Sequence, residues 1–174
     1  MITSGWREPS WRVVDADPRQ IRQVRDWIRS AAAGHGCPAG LDDAALIVGE
    51  LATNAVIHGP AGGRMLAGYC RWDEGARIVV CDGGGPGTPQ LREAGTWTEG
   101  GRGLHVVEEL SARWGSFRLL RAQVVWCDLG QPLHAPDADA WAWLHLVLSA
   151  RDLSAPPGAP EAATQPALAR AAAR

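Results

Sequence analysis

Glu50, Asn54 and His58 recur at intervals of four in the run Glu50-Leu-Ala-Thr-Asn-Ala-Val-Ile-His-Gly59. On a helix that spacing stacks a carboxylate, an amide and an imidazole along one face. Such a row can hold a metal-bound, charged ligand. An amide oxygen is a neutral hard ligand, suited to a Mg2+ ion that keeps its waters and binds phosphates. A carboxylate one turn earlier can orient a water or take the proton of an attacking hydroxyl. The same three residues also suit a polar helix side that simply faces solvent. Two glycine-rich runs follow. In Asp82-Gly83-Gly84-Gly85-Pro86-Gly87 a carboxylate closes an apolar strand. It can accept a hydrogen bond from an exocyclic amine such as that of adenine, while Gly84 and Gly85 let backbone approach a flat ring. In Gly101-Arg102-Gly103-Leu104 glycines open a helix, whose first N–H groups can cradle phosphate, with Arg102 adding a charge-assisted contact. Read singly, these runs are also a tight turn and a glycine-started linker. The dinucleotide pattern Gly-x-Gly-x-x-Gly does not fit, because counting from Gly83 its last position falls on Thr88. Together, in this order, the three runs supply a metal position, a base reader and a phosphate cradle.

The elements that must position these groups are legible in outline. Trp11 to Val14 reads as a short strand. Asp17 and Pro18 can start a helix whose apolar positions Ile21, Val24, Trp27 and Ile28 recur to about Ala33. A second helix runs from about Leu41 to His58, started near Asp42 and stopped by Gly59-Pro60. Arg64 to Trp72 and Ala76 to Asp82 read as strands around a turn at Asp73-Glu74-Gly75. Gly103 to Arg113 reads as a third helix. Ser116 to Arg121 and Gln123 to Leu129 form a last hairpin, and Asp137 to about Asp152 a further helix with Trp141, Leu144 and Leu148 on one face. That helix is expected to dock on its own domain or to meet a partner. Helices and strands come in blocks, which favours an α+β, two-layer sandwich over a doubly wound parallel sheet. The expected organisation is an N-terminal extension over 1–10, one globular domain over 11–130 that carries the three runs, a linker and amphipathic helix over 131–152, and a disordered tail over 153–174.

Composition narrows the options. A chain of 174 residues with net charge −2 suits one globular domain and offers no basic surface for nucleic acid. All 17 basic residues are arginine, so any chemistry that needs a lysine, such as a Walker-type phosphate loop or a Schiff base, is excluded. Cys37, Cys70, Cys81 and Cys127 form no Cys-x-x-Cys pair and read as reduced core residues. There is no signal-peptide pattern and no apolar run of spanning length, which predicts a cytoplasmic protein. Nine tryptophans are more than packing alone needs by pattern; Trp97, Trp141 and Trp143 are candidates for ligand or partner contact.

The three runs resemble the N box and the two glycine boxes of the GHKL ATPase superfamily. They are most similar to small anti-sigma factor serine kinases and related ATP-binding regulators. Gly-Arg-Gly-Leu-x-x-Val from Gly101 and Arg-Trp-Gly from Arg113 add to the likeness, which covers about Trp11 to Leu129. The resemblance implies helices on one face of a mixed, mostly antiparallel sheet. It implies ATP and Mg2+ as ligands, with Asn54 on the metal and Glu50 as general base. Asp82 would bind the adenine amine, and Gly84 and Gly85 would line its pocket. His58, Gly101, Arg102, Gly103 and Leu104 would hold the phosphate side. The implied activity is an anti-sigma-factor-like regulator that phosphorylates serine or threonine on an anti-anti-sigma (STAS) partner; the alternative is a non-catalytic ATP-binding module. Partners would be a sigma factor, a STAS protein or a second copy in a homodimer, with no nucleic acid or membrane. Two positions depart from the family pattern. Pro86 replaces a glycine, and Val124 stands where threonine is usual, so a weaker hold on the base is expected.

Overall fold

The computed structural model describes residues 9–35, 37, 40–85, 102–131, 144–145, 147–149 and 153. Expectations placed on Gly101, Pro86, Trp97, Trp141, Trp143 and the tail beyond residue 153 fall outside these residues, as do the side chains of His35 and Arg102.

Strand β1 spans Ser10–Asp15. Asp17 Oδ1 then accepts the Arg19 N–H at 2.8 Å and opens a 3₁₀ turn, Pro18–Gln20, which leads into helix α1, Ile21–His35. Helix α2 covers Leu41–His58, as expected. Gly40, with φ 92°, occupies the cap without a side-chain bond. Asp42 and Asp43 act from the first turn, where their charges favour the helix dipole. At the other end Gly59 donates its N–H to Ala55 O at 2.9 Å.

Strands β2, Arg64–Trp72, and β3, Gly75–Asp82, follow, then helix α3, Arg102–Leu110, and strands β4, Arg113–Leu119, and β5, Ala122–Gly130. Helix α3 stops three residues before the expected end at Arg113. Arg113 instead opens β4, because its Nε donates to Asp128 Oδ2 on β5 at 2.6 Å and so pulls it into the sheet. The sheet order is β1-β2-β3-β5-β4. All four pairings are antiparallel, so among the described residues the expected mixed character is absent.

Both faces of the sheet are covered. Met65, Ala67, Tyr69, Ile78, Val80, Val125 and Cys127 face Val24 and Ile28 of α1, Ile47, Val48, Leu51 and Ala52 of α2, and Val107 of α3. The opposite face presents Leu66, Cys70, Val79, Cys81 and Val124. It packs against Leu144, Val147 and Leu148, of which the first has helical geometry with His145 and the others with Ser149. Leu153 joins them, and its carbonyl accepts the Arg64 N–H at 2.7 Å. The C-terminal residues therefore dock on their own domain, on the side away from α1–α3. Helices thus cover more than the one face expected. Strand β3 is buried along its length, which explains its apolar run Ile78–Cys81.

The same outer face holds a charge cluster. Arg77 and Asp128 are fully buried and meet through Nε–Oδ1 at 2.6 Å and Nη2–Oδ2 at 3.0 Å. The Arg77 guanidinium lies 4.4 Å from the centre of the Trp126 ring, and that of Arg113 lies 5.4 Å from it. All four cysteines are free, with Cys70, Cys81 and Cys127 buried. Burial pushes the Cys81 and Cys127 thiols well above their ordinary range. No helix among the described residues is long and apolar enough to cross a membrane.

Candidate nucleotide site

Helix α2 presents Glu50, Asn54 and His58 in one row, as their spacing requires. Glu50 and Asn54 are half-buried, and His58 is exposed at the helix end. Alanines and branched residues on the opposite side anchor the helix on the sheet, which fixes the direction of the polar row.

The end of β3 comes close to this row. Asp82 is only 6% exposed, and its Oδ1 accepts the Gly84 N–H at 2.7 Å. Burial pushes its carboxyl up; the Gly84 bond and the charges of His58 and Arg118 pull the other way without cancelling the effect. Gly59 brings the two elements together. A Cβ there would lie 2.5 Å from Ala55 O and 3.2 Å from Asp82 Cβ. Gly59 thus does more than stop a helix, a role that the sequence did not reveal.

Gly84 and Gly85 are required by the protein's own backbone. Gly84 has φ +78°, and a Cβ on it would fall 2.4 Å from Arg121 O; one on Gly85 would fall 2.1 Å from His58 O. The first glycine run is therefore clamped between the end of α2 and the β4–β5 turn. Arg118 secures it further by donating from Nη2 to Gly85 O.

The start of α3 reaches Glu50. A Cβ on Gly103 would lie 2.7 Å from Glu50 Oε2, so the absence of a side chain lets the carboxylate lie against the first turn. Leu104 is buried in the core, which leaves only its backbone to meet a ligand. The structure thus brings Glu50, Gly103 and α3's first turn together at one end, and His58, Asp82, Gly84 and Gly85 at the other.

Val124 is a correction. Its side chain packs with Cys81 and Val79 on the outer face, away from Asp82. The residue opposite Asp82 is Gln123, on the helix-side face. Arg118 pairs with Gln123 in turn, so Asp82, Gln123 and Arg118 form a polar row across three strands. The only sequence signal for Gln123 is a lone amide in an apolar strand. Its relation to Asp82 depends on strand register.

These groups fit a nucleotide with its cation. Gly103 stands in the first turn of α3, where backbone N–H groups can meet phosphate oxygens, with the Glu50 carboxylate in the place that a side chain at 103 would fill. Gln123 Oε1 is buried with no hydrogen-bond partner among the described residues, an acceptor that a ligand donor could satisfy. Among those residues no three His, Cys, Asp or Glu side chains cluster so as to hold a metal alone. A Mg2+ at Asn54 would need phosphate oxygens and waters to complete its shell, which is its ordinary preference.

Residues 14–119, more than half of the chain, match the family described as Histidine kinase-like ATPase domain. Among solved structures the chain is similar to the RsbU and RsbW domains of Rv1364c from Mycobacterium tuberculosis, with a TM-score of 0.51 and 20% identity. That likeness covers 71% of this chain and 32% of the other, and at such identity it bears on the fold alone. No curated protein matches the chain.

Proposed function

This chain belongs to the family of histidine kinase-like ATPase domains, and on that premise we propose that it is an ATP-binding, anti-sigma-factor-like regulator that phosphorylates a serine or threonine of a STAS-domain partner. Its α+β sandwich is of the GHKL ATPase type. The observation that carries the proposal is the contact between Glu50 and the first turn of α3 at Gly103. It puts a candidate base beside N–H groups that can hold phosphate.

In this reading Asp82 accepts a hydrogen bond from the adenine amine, and Gly101, Arg102, Gly103 and Leu104 would hold the phosphates, while His58 lies at the Asp82 end of the row. Asn54 would hold Mg2+, whose charge offsets that of the phosphates. Glu50 orients the partner's hydroxyl and accepts its proton as the oxygen bonds to the γ-phosphorus. The bond from that phosphorus to the β–γ bridging oxygen breaks, and ADP leaves. Positioning and charge neutralisation supply most of such catalysis. A sigma factor is the second partner class, and a homodimer a natural assembly for such a regulator.

Pro86 supports a second reading. It fixes φ and removes an N–H where the family has glycine. A stiffened run there suits a module in which nucleotide sets conformation and transfer does not occur. The decisive experiment incubates pure protein with Mg2+-ATP and STAS proteins encoded nearby. Phosphorylated partner detected by mass spectrometry, and lost in Glu50→Ala that still binds ATP, is the expected result. Tight ATP binding with no transfer selects the second reading. No ATP binding at all, with Asn54→Ala indistinguishable from wild type, overturns both.

A further inference from the structure

Gln123 and Asp82 are directly opposed on neighbouring antiparallel strands and share a face. Cβ atoms in such pairs lie ~4.5–5.5 Å apart. Gln123 is 3% exposed, and its Nε2 donates to Phe117 O at 3.1 Å and Val124 O at 3.4 Å. Turning the amide over would set its oxygen against two carbonyl oxygens. These contacts therefore decide which atom is the oxygen. Oε1 is left buried, with no partner among the described residues. A buried acceptor in that condition is costly, and a donor on a bound ligand would relieve it.

Asp82, opposite Gln123 on β3, offers a second acceptor on the same face. Oδ1 takes the Gly84 N–H, and Oδ2 remains for a ligand. Arg118, next in the row, is turned to Gly85 O and does not satisfy Gln123. Two acceptors on one face demand a group with two hydrogens. The exocyclic amine of adenine is such a group. The carbonyl of guanine at the same ring position would set lone pairs against both.

We propose that Gln123 is a specificity-determining residue that reads the nucleobase jointly with Asp82. Asp82 accepts one hydrogen of the adenine amine, and Gln123 Oε1 accepts the other. The inference rests on the ATP-binding reading above and extends it to both amine hydrogens. Gln123 lies beyond the segment that matches the family.

Calorimetric titration with Mg2+ complexes of ATP, N6-methyl-ATP and purine riboside triphosphate tests it on the unaltered protein. The amine carries two hydrogens in the first, one in the second and is missing in the third. A site that uses both hydrogens gives a stepwise ladder, with each lost bond weakening binding about tenfold. N6-methyl-ATP binding as tightly as ATP overturns the proposal and leaves the ATP reading standing. No binding of any of the three overturns both. Gln123→Met separates hydrogen bonding from the bulk of the methyl group, with circular dichroism and melting as folding controls. In that variant the gap between ATP and N6-methyl-ATP closes. A gap that persists undiminished in the folded variant assigns it to bulk and overturns the proposal. Should the variant not fold, the ladder in the wild-type protein decides.

Discussion

If Asp82 holds the adenine amine as proposed, it is the residue on which stability and ligand recognition conflict. Burial raises its carboxyl above the ordinary 3.8, so the folded chain holds that proton more tightly than the unfolded chain. The resulting stabilisation is fully present below 3.8 and is lost as pH rises through the raised folded value. At neutral pH the ionised group therefore works against folding. Asp82→Asn keeps an oxygen for the Gly84 N–H and removes the buried charge. The variant is expected to melt above wild type at pH 7, with the advantage shrinking as pH falls towards 3.8, while binding ATP more weakly. Thermal scans across that range check it, and equal melting at pH 7 contradicts it. The conflict was half visible in the sequence. A carboxylate closing the apolar run Ile78-Val-Val-Cys81 was legible as an acceptor at a strand end, though its burial was not. Its partner across the sheet was not visible. Whether Gln123 or Val124 faces Asp82 depends on one residue of register, and a slip of one would exchange them.

Among the elements, α2 was legible from end to end. A helical period, two acidic residues near its start and Gly59-Pro60 at its end all agree. The junction of α3 and β4 was not, since Arg113 suits a helix C-terminus by type. What moves it into the sheet is Asp128, fifteen residues later, a tertiary tie that no local pattern contains. Asp128 also closes on Arg77, so one carboxylate joins β3, β4 and β5. Removing one partner of a buried ion pair leaves the other charge in the interior. Asp128→Ala is therefore expected to cost about 3–5 kcal/mol, and replacing Arg77 and Asp128 together by leucine and methionine to cost less. Urea denaturation of both variants measures this. A single variant within about 1 kcal/mol of wild type would show that the cluster carries less than its burial implies.

For the molecule as a whole, the C-terminal residues complete a third layer. Leu144, Val147, Leu148 and Leu153 shield an apolar sheet face that the helices α1–α3 cannot reach. The apolar positions of that helix were readable, but not which surface they meet, because the sheet's outer face is itself a product of the fold. Deleting residues 137–174 should bare Leu66, Cys70, Val79, Cys81 and Val124 to water. Dye binding by the truncated chain, with a lower melting temperature and a tendency to associate, is the expected outcome. Unchanged melting without dye binding would mean that this layer contributes little. The layer also sets the dynamics of the site. Asp82 belongs to a strand flanked by β2 and β5 and covered above and below. Its amides should exchange with solvent only when the whole molecule opens. The other end of the site includes the first turn of α3, whose N–H groups lie outside any ladder and exchange early. The base would thus meet a template fixed before it arrives, while the phosphates settle a part of the chain that still moves.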